Sequence, residues 1–217
     1  MNEFTSRRLI MVDTQVRPSD VTKFPIIEAM LHVPREEFVP QDRVEAAYVG
    51  ENLPIGRGRV LLEPRTLAKM LDALNITPDD LVLDIGCGTG YSSAVIQRMA
   101  QAVVALEEDG DFVNAAEASF ARTDAETVVL TRGALNEGAP QHAPYDVMLV
   151  QGGIEQFPEA LVSQLRQGGR VGAVFMQGAL GVVRLGIRTG EGLVWRDIFN
   201  AAAPVLPGFR KEQAFSL

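Results

Sequence analysis

From residue 81 onward, short aliphatic runs recur between longer helix-like segments. The runs are "LVLDIG", "AVVALE", "TVVL", "DVMLV" and "RVGAVF", bounded by Gly and turn residues. Continuous apolar runs of this length predict strands covered on both faces. Their alternation with helix-like segments predicts a parallel α/β sheet with helices on both sides. After residue 175 the rhythm changes. "GVVRLGIR" and "GLVWRDIF" are separated only by "TGE", which predicts a β-hairpin appended to the sheet.

The chain before that point reads differently. "KFPIIEAMLHV" and "RTLAKMLDAL" predict helices, and Leu67, Met70, Leu71 and Leu74 fall on one face at i, i+3, i+4 and i+7. Between them, "VPREEFVP" and "LPIGRGRVLLEPRT" are interrupted by Pro and Gly. The second stretch is too broken for a helix and too apolar for an ordinary solvated loop. The expected organisation is a helical cap with a wall segment over residues 1–77 and an α/β core over 78–217. The closing "NAAAPVLPGFRKEQAFSL" predicts an extended segment laid over the core or against a partner.

Composition narrows the classes. Apolar residues make up 47% of 217 residues and charged residues 22%, an ordinary globular balance. A net charge of −8 argues against a non-specific nucleic-acid binder, which needs a basic field. Cys87 is the only cysteine, so neither an intrachain disulfide nor a cysteine-based zinc cluster can form, and no metal is expected. His32 and His142 lie far apart, and both read as structural or loop residues. No apolar run reaches the length of a signal-peptide core or a membrane span. A soluble, cytoplasmic protein that binds neither nucleic acid nor membrane is expected.

The chemistry concentrates in "LVLDIGCGTGYSSAVIQ". A strand ends at Asp84–Ile85, a Gly86-Cys87-Gly88-Thr89-Gly90 turn follows, and a helix opens near Tyr91. Glycines there let the backbone approach a ligand at the carboxyl end of a strand. A dinucleotide fingerprint places its third glycine where this chain has Tyr91. Glu107 ends the next strand 21 residues after Gly86, placed to accept hydrogen bonds from ribose hydroxyls. An acid beside the turn suits a cationic ligand end better than a pyrophosphate. S-adenosylmethionine (SAM) has a ribose, an ammonium and a sulfonium, and no phosphate. A tight turn without any ligand is the alternative.

"VLDIGCGTGY" and "VVALEED" resemble the first two cofactor motifs of class I methyltransferases. "MVDTQVR", "EAMLHVPREEFVP", "AYVGENLPIG", "HAPYDVMLV" and "PEALVSQLRQGGRV" resemble the protein-L-isoaspartate O-methyltransferase family, continuously from about residue 10 to 175. The resemblance implies a Rossmann-like methyltransferase sheet, mostly parallel with the C-terminal antiparallel hairpin, and the helical N-terminal cap. It implies SAM as cofactor, held by Asp84, Gly86, Cys87, Gly88, Gly90 and Glu107. It implies an isoaspartyl protein or peptide as partner, framed by Ile55, Gly56, Gly58, Leu62 and Pro64.

Departures from the family pattern bear on the acceptor. Where the family continues G-x-G-Q-T-I-S-x-P, with a Ser or Thr usually named as catalytic, this chain has Arg59-Val60 and, at the hydroxyl position, Leu62. No catalytic residue is therefore assigned. Arg57 and Arg59 read first as solvated loop residues, with a carboxylate clamp as the alternative. The family's Gly-Asp-Gly after the third strand is Gly133-Ala134-Leu135, and its Thr-Ala-Ala-like sequence after the fourth is Gln151-Gly152-Gly153. Gln151 reads as satisfying a strand end, or as a donor to substrate. Two rivals stay open: a methyltransferase for a less polar acceptor, and a SAM-binding module without turnover whose cleft Leu62 fills.

Overall fold

The structure is a computed structural model described from Glu3 to Lys211; the last six residues of the C-terminal segment singled out above lie outside the described residues. Its centre is a seven-stranded sheet. The strands are β3 (Leu81–Ile85), β4 (Ala102–Glu107), β5 (Val129–Arg132), β6 (Tyr145–Ile154), β7 (Leu165–Gln177), β8 (Leu180–Thr189) and β9 (Gly192–Asn200). They lie in the order β5-β4-β3-β6-β7-β8-β9. The first five run parallel and β8 and β9 add antiparallel, as the alternation and the "TGE" turn predict. Strand order reverses between β3 and β6, so the crevice outside their carboxyl ends is where such sheets take ligands.

The α/β alternation fails at one place. Between β5 and β6 the chain makes only a short 3-10 turn at Pro140–His142. Gly133, Gly138 at φ +73°, Pro140 and Pro144 fall within a dozen residues, and that density of helix breakers rules out a crossover helix.

The N-terminal part packs α1 (Glu3–Met11), α2 (Phe24–His32) and α3 (Pro64–Leu74) against the core. Pro64 occupies the first turn of α3 and Asn75 closes it in the left-handed conformation. Leu67, Met70, Leu71 and Leu74 are all buried, each contributing roughly 1.5–3 kcal/mol. They share one apolar cluster with Val82 and Leu149 of the sheet. A second cluster on the other face gathers Leu83, Ile85, Met148, Leu206 and Phe209.

Between α2 and α3 lies a separate two-stranded antiparallel hairpin, β1 (Leu53–Gly56) and β2 (Arg59–Leu61), with no strand pairing to the main sheet. Its tip, Gly56-Arg57-Gly58, has three consecutive positive φ angles, which two glycines make accessible. Burial alternates along both strands, placing Leu53, Ile55, Arg59 and Leu61 on the inner face. The C-terminal segment lies beside β6. Gly153 N–H donates to the Pro204 carbonyl at 2.8 Å and Leu206 N–H to the Gly153 carbonyl at 2.9 Å. Among the described residues, no helix is long and apolar enough to cross a membrane.

Candidate functional site

The glycine turn leaves β3 at the switch point. Gly86 and Cys87 N–H both donate to the Leu106 carbonyl of β4, which bends the chain sharply before α4 (Tyr91–Ile96). Gly90, at φ +95°, leads into that helix; a Cβ there would lie 2.5 Å from the Phe120 ring, so only glycine fits. Thr89 Oγ1 donates to the Phe38 carbonyl and ties the turn to the cap.

Asp84 faces α4, not the crevice. Its Oδ2 accepts from Ser92 Oγ at 2.6 Å and Ser93 Oγ at 2.5 Å, and its Oδ1 accepts from Gln151 Nε2 at 2.8 Å. Complete burial pushes its carboxyl above the ordinary range, and these three donors oppose that rise. Gln151 therefore satisfies a strand-end acid, the first of its two readings. Cys87 is buried, and burial pushes its thiol well up, away from thiolate chemistry.

Glu107, fully buried at the end of β4, is fully engaged. Its Oε2 accepts from Gly88 N–H at 2.8 Å and Arg59 Nη2 at 3.0 Å. Its Oε1 accepts from Arg59 Nη1 at 3.1 Å, Glu108 N–H at 3.0 Å and Asp109 N–H at 3.2 Å. Arg59 Nη2 also donates to the Gly86 carbonyl at 2.7 Å, and its guanidinium carbon lies 5.6 Å from the Phe112 ring centre. Arg59 is 6% exposed. The reading of Arg59 as a solvated loop residue is thus corrected: it clamps a carboxylate, and the carboxylate is the protein's own. Arg57, at the hairpin tip, is exposed and pairs with Asp109 and Asp111 at the start of α5 (Gly110–Phe120).

The glycine cradle is filled from both sides. A Cβ at Gly88 would lie 2.8 Å from Ile55 Cδ1, and one at Gly86 would lie 2.9 Å from Arg59 Nη2 and 3.1 Å from Leu206 Cδ1. Leu62 is buried in the core and its carbonyl accepts from Arg35 Nη2 at 2.8 Å. Gly56 and Gly58 are exposed at the tip, and Pro64 begins α3. The structure thus brings Ile55 to the glycine turn beside Glu107; Ile55 and Gly56 line one cavity with Thr89 of that turn, while Gly58, Leu62 and Pro64 do not line it.

The chemistry of this donor set suits a nucleoside with a ribose diol: an acid at one strand end, a glycine turn at the next. In this structure Arg59 engages the acid, and the side-chain ends of Ile55 and Leu206 lie against the glycines. The sequence reading held Arg59 as a carboxylate clamp only in second place, and Leu206 escaped it. The signal for Arg59 was its place on the inner face of "RVL", in step with Leu61, since an inward arginine demands a buried acid. Nothing local marks Leu206.

The family model for protein-L-isoaspartate(D-aspartate) O-methyltransferase matches residues 9–178. The chain belongs to the protein-L-isoaspartate O-methyltransferase family. Enzymes of this name from Koribacter versatilis and Methylorubrum extorquens are 36% identical over 185 residues and 39% identical over 164 residues. Those alignments cover 83% of both chains in the first case, and 76% of this chain and 72% of the relative in the second. A Plasmodium falciparum structure described as a protein-L-isoaspartate O-methyltransferase in complex with S-adenosyl-L-homocysteine matches at TM-score 0.79 and 18% identity, over 95% of this chain and 99% of that one. It shares the fold. The family members are SAM-dependent methyltransferases, and the likeness extends through the cap, the hairpin and the sheet.

Proposed function

We propose that this chain transfers a methyl group from SAM to the side-chain carboxylate of L-isoaspartyl residues in damaged proteins. The carrying observation is the family match over residues 9–178; the glycine turn Gly86 to Gly90 and Glu107 at the switch point of the sheet support it, with Asp84 behind them bracing α4. SAM supplies the activated methyl when bound. In this reading residues 1–77 form the cap and acceptor wall, with Ile55, Gly56 and Gly58 nearest the acceptor, and residues 78–217 form the cofactor core. The compartment that fits a single unpaired cysteine is the cytoplasm.

The missing hydroxyl does not forbid the reaction. A carboxylate with a reference pKa of about 3.9 is ionised at neutral pH and needs no general base. With SAM bound, the protein's task would be to bring a carboxylate oxygen to the activated methyl and to exclude water. Loss of one hydroxyl costs roughly 0.5–1.5 kcal/mol as a neutral hydrogen bond, or about 1.5–3 when it meets a charge. The buried Leu62 and the filled cradle favour a second reading, a family member whose turnover is slow or absent.

Methyl-labelled SAM and paired peptides that differ only in isoaspartate against aspartate test the proposal. Base-labile label on the isoaspartyl peptide alone is expected. Label on neither peptide, from folded protein, sinks it.

A further inference from the structure

We infer that the cofactor crevice of this chain is latched by its own hairpin: SAM enters only when Arg59 leaves Glu107. The inference rests on the cofactor reading above and adds a gate to it.

The capacity of the acid decides the matter. A carboxylate offers about four lone-pair directions. Glu107 already accepts five hydrogen bonds, two from Arg59 and three from backbone N–H groups. The three backbone donors belong to the turns after β3 and β4 and are fixed by the sheet. The two guanidinium donors are the ones a ribose diol can replace. The same displacement withdraws the guanidinium from Gly86, where a ligand has to approach the backbone.

The latch is built to move. The hairpin pairs with no strand of the main sheet, so no ladder bond to that sheet has to break for Arg59 to withdraw; Leu53, Ile55 and Leu61 hold it to the core by side-chain packing. Arginines anchor its tip end: Arg59 on Glu107, and Arg57 on Asp109 and Asp111. The three acids, Glu107, Asp109 and Asp111, sit at alternate positions from the end of β4 into the start of α5, so one segment receives both anchors. Asn52, at the hairpin base, donates to the Ala202 carbonyl at 2.7 Å, which joins it to the C-terminal segment carrying Leu206. Among the described residues Arg59 Nε is buried with no hydrogen-bond partner, so the closed placement leaves one donor of the latch unsatisfied there. A buried ion pair gains little net stability over its separated, resolvated alternatives, so a ligand that satisfies Glu107 can displace Arg59.

A binding-competent state held to 0.1–10% of the population weakens apparent affinity roughly ten- to a thousandfold. Calorimetric titration of S-adenosyl-L-homocysteine into the wild-type chain and into Arg59→Gln reads this directly. A gain of at least tenfold in Arg59→Gln is expected. Equal affinity in the two proteins overturns the latch and leaves the cofactor reading standing. No binding to either folded protein at millimolar ligand overturns the cofactor reading, and the latch with it. Arginine side-chain NMR on the wild-type chain stands in should the variant not fold. Slowly exchanging Arg59 Nη protons in the free protein should vanish when the ligand saturates. Their persistence in the bound protein contradicts the latch.

Discussion

Arg59 and Glu107 stand 48 positions apart and meet as a two-pronged buried pair, Nη1 to Oε1 at 3.1 Å and Nη2 to Oε2 at 3.0 Å. The pair joins the hairpin to the carboxyl end of β4. Removing one member strands the other charge in the interior. Glu107→Gln is expected to lower stability by about 3–5 kcal/mol in urea unfolding. Combined with Arg59→Gln, the cycle should return a coupling of at least about 1.5 kcal/mol. Additive single effects would show that the pair does not form.

Restoring a hydroxyl at position 62 is not expected to restore a catalytic group by itself. Leu62 is buried among the core residues, and Leu62→Ser exchanges a filled volume for a buried hydroxyl. The expected loss is about 2–5 kcal/mol of stability, with no increase in methyl transfer to isoaspartyl peptide. A rise in label transfer by this single variant would place the side chain at position 62 in the acceptor site.

Arg35 is the cap's buried organiser. Its Nε donates to the Ala47 carbonyl at 2.7 Å, its Nη2 to the Leu62 carbonyl at 2.8 Å, and its guanidinium carbon lies 4.7 Å from the Tyr91 ring centre. Arg35→Ala leaves two carbonyls unpaired and opens a cavity. A loss of at least about 3 kcal/mol is expected in thermal or urea unfolding. Arg35→Lys should recover only part of it, because an ammonium cannot span both carbonyls.

Asp84 predicts a pH dependence. Burial raises its folded-state pKa above the ordinary 3.8. Its contribution to stability is therefore fully present below that ordinary value and is lost as pH climbs through the raised one. Asp84→Asn removes this loss, so wild-type stability relative to the variant should fall as pH rises from 4 toward neutrality. A difference that stays flat over that range contradicts the burial argument.

Much of the fold was legible because its signals are periodic. The aliphatic runs gave β3, β4, β6 and β7, the spacing of Leu67, Met70, Leu71 and Leu74 gave α3, and "TGE" gave the final hairpin. The missing crossover helix before β6 was legible too, in Gly133, Gly138, Pro140 and Pro144, but only when breakers are weighed above the expectation of alternation. The site divides the same way. Asp84, the glycine turn and Glu107 lie within 24 residues and advertise themselves as a local pattern. Their occupation does not. Arg59 reaches Glu107 through a hairpin tip with three positive φ angles, and Leu206 reaches Gly86 from the C-terminal segment, which lies beside Gly153 of β6. Long-range pairings of that kind depend on tertiary placement, which no window of sequence contains.

The central claim is that Arg59 holds the place a cofactor ribose must take. A crystal structure grown with millimolar S-adenosyl-L-homocysteine tests it most directly. The account predicts nucleoside in the crevice, its ribose hydroxyls on Glu107, and the Arg59 guanidinium withdrawn from both Glu107 and the Gly86 carbonyl. Nucleoside bound at the glycine turn with the Arg59–Glu107 pair intact would contradict it.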